Sequence, residues 1–181
     1  MSVDGNKTLV RGNHWLVRNV DGLKSFMRIV FGFVWLVDGY LKFQPGMSQA
    51  FPQMIVAAGQ GQPAWLHPWF SFWASVVGAN PAPWTYLIGA GEVLLGLAVM
   101  LGVMRKTAYL VGILLSLLIW SVPEGFGGPY GPGSTDIGTG VIYAFVFIFL
   151  LIVNAAFGPS HYSLDWFIEK KLPAWRIVAE A

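Results

Sequence analysis

The stretch RIVFGFVWLVDGYLKF, residues 28–43, is apolar enough for a lipid bilayer, yet it carries Arg28, Asp38 and Lys42. A charge at bilayer depth costs from about 2.5 kcal/mol upward, so such groups face a protein interior or a wet cavity. Helical geometry sorts them. At about 100° per residue, Arg28, Gly32, Trp35, Asp38, Gly39 and Lys42 fall within one arc of roughly 120°. Ile29, Val30, Phe33, Val34, Leu36, Val37 and Leu41 take the remainder, which suits lipid. The segment reads as a membrane helix with one packed, charged face, on which Gly32 and Gly39 admit a close neighbour.

The rest of the chain has the same character. Of 181 residues, 55% are hydrophobic and 11% charged, against about 25% charged in a soluble domain. Four runs, 25–43, 85–104, 107–122 and 137–157, reach or approach the roughly 20 residues of a membrane span. Lys7, Arg11, Arg18, Lys24 and Arg28 precede or open the first run, Arg105 and Lys106 separate the second and third, and Lys170, Lys171 and Arg176 lie in the tail. This is a positive-inside distribution, not a nucleic-acid patch. It places both termini in the cytoplasm and the loops 44–84 and 123–136 outside, in a multi-pass protein of the cell membrane. The first run follows a charged 24-residue lead without a small-residue cleavage signal, so it is expected to remain as a span.

The expected fold is therefore an all-α membrane protein: a cytoplasmic segment 1–24, a four-transmembrane-helix bundle 25–157, and a cytoplasmic tail 158–181. Within the long outer loop, two short apolar pieces flank the turn signal at 59–63. Trp65, Trp69 and Trp73 recur at four-residue spacing there, as an interfacial helix would place them. In the tail, Trp166, Phe167, Leu172 and Trp175 alternate with basic residues and read as the matching inner-surface helix. Residues 14–24 read as another surface helix.

The second span aligns Thr85, Gly89, Glu92, Gly96 and Met100 on one face, and the fourth aligns Asp136, Gly140, Tyr143, Phe147 and Asn154. Ser116 sits midway down the third. By depth, Asp38, Glu92 and Tyr143 converge in the outer half, with Lys42, Trp120, Glu124 and Asp136 nearer the surface and Arg28 alone near the inner face. Asp38 and Lys42, four residues apart, are expected to form an ion pair. Glu92 has no partner on its own helix and must find Lys42, Arg28, a hydroxyl or a proton, a placement suited to proton transfer. Plainer readings stand beside these: a purely structural Asp38–Lys42 pair, a core Tyr143, an interfacial His67 in WLHPW. The glycine-rich loop PEGFGGPYGPGSTD, residues 123–136, lacks the lysine of a nucleotide loop and reads either as a pocket wall or as a merely permissive loop. The chain has no cysteine, which excludes thiolate catalysis and cysteine-ligated metal. His14, His67 and His161 are too scattered for a metal or haem site.

The pattern R-x3-G-x2-W-x2-D-G-x2-K at 28–42, the isolated Glu92 and EGFGGPYGPGSTDIG at 124–138 resemble the DoxX/DoxD-like membrane proteins over residues 28–157. The resemblance implies a four-helix membrane bundle. It also implies a link to respiration through the DoxD subunit of thiosulfate:quinone oxidoreductase, which oxidises thiosulfate to tetrathionate and passes electrons to quinone. On this reading the chain is an integral membrane subunit of a quinone-linked oxidoreductase with quinone as acceptor. Glu92, Asp38 and Lys42 would be its catalytic residues, and Arg28, Trp35, Tyr143, Trp120, Asp136 and His67 would bind substrate or quinone. Thiosulfate, an anion, would need Lys42. DoxD works with a second small subunit, DoxA, so a DoxA-like partner or a homo-oligomer is expected in the lipid. The alternative is a non-catalytic DoxX-like membrane protein that binds a partner or lipid and assembles a redox complex. A carrier is disfavoured, because no inverted repeat is visible.

Overall fold

The computed structural model describes residues 14–131, 134 and 136–180, and among them it is all-α, without a strand. Its helices are α1 (His14–Leu41), α2 (Met47–Ala58), α3 (His67–Ala79), α4 (Pro81–Leu101), α5 (Arg105–Ser121), α6 (Thr139–Phe157), α7 (Leu164–Lys171) and α8 (Arg176–Ala179). By length and composition, α4 and α6 can cross a membrane. Helix α5, with 17 residues, spans only about 26 Å at 1.5 Å per residue.

Two expectations about the ends are corrected. Residues 14–24 are not a separate surface helix but the first turns of α1. No proline interrupts them, and the Lys24–Asp21 ion pair (2.9 Å), one turn apart, supports the helix there. Asp136 does not belong to the fourth helix, which begins at Thr139 after Gly138 turns the chain with φ of 89°. The two short helices expected in the segment 44–84, α2 and α3, form on either side of the 59–63 turn.

Helix α1 packs along α4, and α5 along α6, with α4 also against α5. Aromatic rings join α1 to α6: Phe31 and Phe147 lie 4.8 Å apart and Trp35 and Tyr143 5.8 Å. These residues share a core with Leu95, Val99 and Tyr109. A second cluster, Phe51, Ile55, Val77 and Val122, packs α2 and α3 against the end of α5. The face reading of α1 holds in part: Arg28, Gly32, Trp35 and Gly39 are buried and Ile29, Val30, Phe33, Val37 and Leu41 exposed. Asp38 and Lys42, however, are only half-buried, and Leu36, expected to face lipid, is half-buried against Gly96 of α4.

Glycine spacing sets the α1–α4 contact. A Cβ on Gly32 would lie 2.8 Å from the Gly96 carbonyl oxygen, and one on Gly39 would lie 2.8 Å from the Gly89 carbonyl oxygen. The pairs 32/96 and 39/89 are seven residues apart on two antiparallel helices, so both backbones touch along two turns. Gly39→Ala is expected to push the helices apart and cost about 1–3 kcal/mol, read as a lower melting temperature in detergent. An unchanged melt would show that the contact is loose.

The tail folds back onto the bundle beside the Arg105 turn, so the helix expected to lie at an interface also has a buried, bonded side. Buried Asp165 accepts hydrogen bonds from the Met104 and Arg105 backbone N–H groups (2.8 and 3.0 Å), from Arg105 Nε (2.8 Å) and from Trp175 Nε1 (2.7 Å). Arg105 Nη2 also donates to Glu169 Oε1 (3.1 Å). The tail's basic and aromatic composition resembles an interfacial helix because its outer side, with Phe167 and Ile177, is exposed and apolar. Asp165 and Glu169 both pair with Arg105.

Candidate functional site

A cavity of about 300 Å³ opens among α2, α3, α4 and α5. This lies at the lower end of small-molecule sites. Lys42, Glu92 and Glu124 line it, and every other lining side chain is apolar, among them Phe51, Trp73, Trp84 and Leu118. Helix α4 delivers Glu92 because Gly89 and Gly96, one turn to either side, bring α1 close enough to bury it. Its side chain is 1% exposed.

The structure assigns Glu92 its partner. Lys42 Nζ lies 3.4 Å from Glu92 Oε2, an ionic contact longer than a good hydrogen bond. That oxygen has no hydrogen-bond partner, and neither has the buried indole N–H of Trp73 on α3. The expected Asp38–Lys42 ion pair is corrected: Asp38 senses Lys42 only as a charge at longer range. Lys42 follows the last residue of α1, in a turn closed by its N–H on the Gly39 carbonyl (3.1 Å). Off the helix, it is free to turn toward α4, where a fully buried carboxylate needs it more than half-buried Asp38 does.

Other expected site residues separate. Tyr143 stays near the charged group, with Asp38 and Glu124 acting on it electrostatically, but packs on Phe31 and Trp35 outside the cavity. Trp35 is likewise a core residue, 1% exposed. Arg28 is at the opposite end, donating to the carbonyls of Val99, Met100 and Tyr162 (each 2.8 Å). It caps the end of α4 and cannot meet a ligand in the cavity. His67 pairs with the Gln62 carbonyl at 2.9 Å, Trp120 donates to the Ile137 carbonyl at 2.7 Å, and exposed Asp136 accepts from Gly138 N–H at 2.7 Å. None of the three lines the cavity.

The residue missed was Glu124. The glycine-rich loop does form a wall, through Pro123 and Glu124. Glu124 Oε2 accepts from Gly140 N–H at 2.8 Å, at the start of α6. A Cβ on Gly138 would lie 2.8 Å from that same oxygen, so this glycine keeps the space the carboxylate occupies. A glutamate placed directly after a span and before a run of glycines was the available signal. Burial pushes its carboxyl up from the ordinary range, the Gly140 N–H opposes this, and the charges of Asp136 and Asp38 add to the rise.

Among the described residues, the charged groups that line the cavity are Lys42, Glu92 and Glu124. Such a balance suits a neutral ligand with hydrogen-bonding oxygens better than an anion. Among the described residues no cluster of histidine and carboxylate side chains could hold a metal ion. No family model matches the chain, and no curated protein or solved structure matches it either.

Proposed function

We propose that the chain is a four-span membrane protein that binds a lipid-soluble quinone in its outer cavity, as the membrane subunit of a quinone-linked oxidoreductase. One observation carries the reading: an apolar cavity of about 300 Å³ whose wall holds a fully buried carboxylate paired at 3.4 Å to a lysine. A quinone offers a flat apolar ring for Trp73, Trp84 and Phe51. Its ring oxygens can accept from Lys42 or the unpaired Trp73 N–H, and Glu92 is placed to exchange the proton that accompanies electron transfer. The electrons come from a partner subunit. The charge balance favours quinone over thiosulfate as the occupant of this cavity, so an anion would have to be handled elsewhere in the complex.

The membrane reading draws support from all four long helices. Phe26, Leu94, Leu114 and Phe145, one on each, are at least 63% exposed, and a soluble protein rarely leaves such apolar surface uncovered. In the proposed topology both termini and the 105–106 turn are cytoplasmic. Single cysteines at Ser71 and Ser134 are expected to react with an impermeant maleimide in intact cells, and one at Lys106 is not; the reverse pattern would invert the protein.

The second reading is a lipid- or partner-binding protein without chemistry of its own, favoured by the apolar character of most of the lining. Extraction of the purified protein decides between the two. Quinone present in stoichiometric amount, seen by its loss of ultraviolet absorbance on borohydride reduction, supports the first. Phospholipid alone supports the second.

A further inference from the structure

We propose that Glu124 is the residue that exchanges protons between the cavity and the outer water. The inference rests on the quinone reading and adds a second ionisable group to it. Glu92 is fully buried, so a proton bound there has no direct contact with solvent. Glu124 lines the same cavity from the loop between α5 and α6 and is only partly buried. One of its oxygens is pinned on Gly140 N–H. The backbone around it is fixed as well: its N–H donates to the Ile119 carbonyl (3.2 Å) and its carbonyl accepts from Gly127 N–H (2.8 Å). A carboxyl used only to cap α6 gains nothing from a cavity wall.

The groups that face Glu124 make it a proton acceptor with a responsive charge. Asp136 acts on it from its own loop, Asp38 from α1, and Tyr143 senses it from α6, with Lys42 and Glu92 in the same cavity. Burial and the neighbouring carboxylates lift its carboxyl above the ordinary range, nearer the working pH of a proton relay. When a hydroquinone is oxidised its two O–H bonds break, two electrons leave to the oxidant and two protons leave to bases. Glu92 takes the two protons in turn from the ring oxygens and Glu124 passes each to the outer water; in quinone reduction, with electrons from the partner subunit, the same two groups carry the two protons the other way.

The test uses the full chain in lipid nanodiscs with decylubiquinol and two equivalents of ferricyanide, which takes the two electrons. Proton release is followed by stopped flow with a pH indicator, over empty nanodiscs, and quinol binding by quenching of tryptophan fluorescence. In the wild type, release should speed up as pH rises through a midpoint above the usual carboxylate range, since the carboxylate is the working form. Glu124→Gln keeps the hydrogen bond to Gly140 and should bind quinol normally, yet slow release roughly 100-fold and lose that pH dependence. Glu124→Ala should be rescued by added formate, as a merely structural cap would not be. A Gln variant with wild-type rate and pH profile overturns the proposal and leaves the cavity reading intact. So does a Gln variant that no longer binds quinol, or an Ala variant that formate does not rescue, since Glu124 would then serve only to hold α6. A wild type without saturable quinol binding overturns the cavity reading, and this inference with it.

Discussion

Replacing Arg105 with Met is expected to cost about 3–5 kcal/mol of stability and to release the tail, because it leaves buried carboxylates without their counter-charge. Asp165 is fully buried and loses its 2.8 Å partner. Glu169, 5% exposed, loses the other guanidinium nitrogen at 3.1 Å. Asp165 also holds the first N–H groups of α5 and the Trp175 indole, so its displacement frees α7 and α8 together. The melting temperature in detergent reports the first effect. Trypsin cleavage after Lys170 and Lys171 reports the second. Lys106→Met, which removes the neighbouring charge from the same turn, should do neither. Were the two variants equally stable, Arg105 would be a surface charge and the clamp would not exist.

Glu92→Gln is expected to leave the fold intact while slowing electron transfer to a quinone analogue by ~100-fold or more, with the partner subunit supplied. Glutamine keeps the size and the hydrogen-bonding capacity of the side chain but cannot carry a proton. The pairing of Glu92 with Lys42 can be read independently of activity. Lys42→Met alone leaves a wholly buried carboxylate unpaired, so it should destabilise more than the Lys42→Met, Glu92→Gln double variant. The coupling should fall short of the ~3–5 kcal/mol of a completely buried pair, since Lys42 keeps 19% of its side-chain surface exposed. Additive losses would mean the two groups do not interact. Asp38→Asn should show little coupling to Lys42 by the same measurement.

These two sites divide what sequence reasoning can reach. The buried faces of α1 and α4 were legible because helical periodicity acts within one element: Gly32 and Gly39 repeat at turns of α1, and Gly89, Glu92 and Gly96 at turns of α4. The choice of partner was not. Asp38 and Lys42 are neighbours in any helix, but α1 ends at Leu41 and its close approach to α4 brings Glu92, fifty residues on, to Lys42. Arg105 and Asp165 are sixty residues apart, and nothing in either local pattern announces the other. The tail's aromatic and basic composition therefore showed its interfacial character but not the contact its acidic side makes with Arg105. Trp120 and Asp136 were grouped by depth along the chain direction, a coordinate that says nothing of the direction around the bundle. Glu124 was passed over because the conformation of a glycine-rich loop is set by the elements it joins.

Photolabelling with an azidoquinone in nanodiscs tests the central claim most directly. The account predicts adducts on the cavity wall, in the peptides containing Phe51, Trp73, Trp84 or Leu118, suppressed by excess decylubiquinone. It also predicts that Trp84→Ala abolishes the specific labelling while the protein still folds. Adducts confined to the exposed residues Phe33, Leu94, Leu114 and Phe145, unaffected by the competitor, would contradict it, since a quinone dissolved in the surrounding lipid would give that pattern.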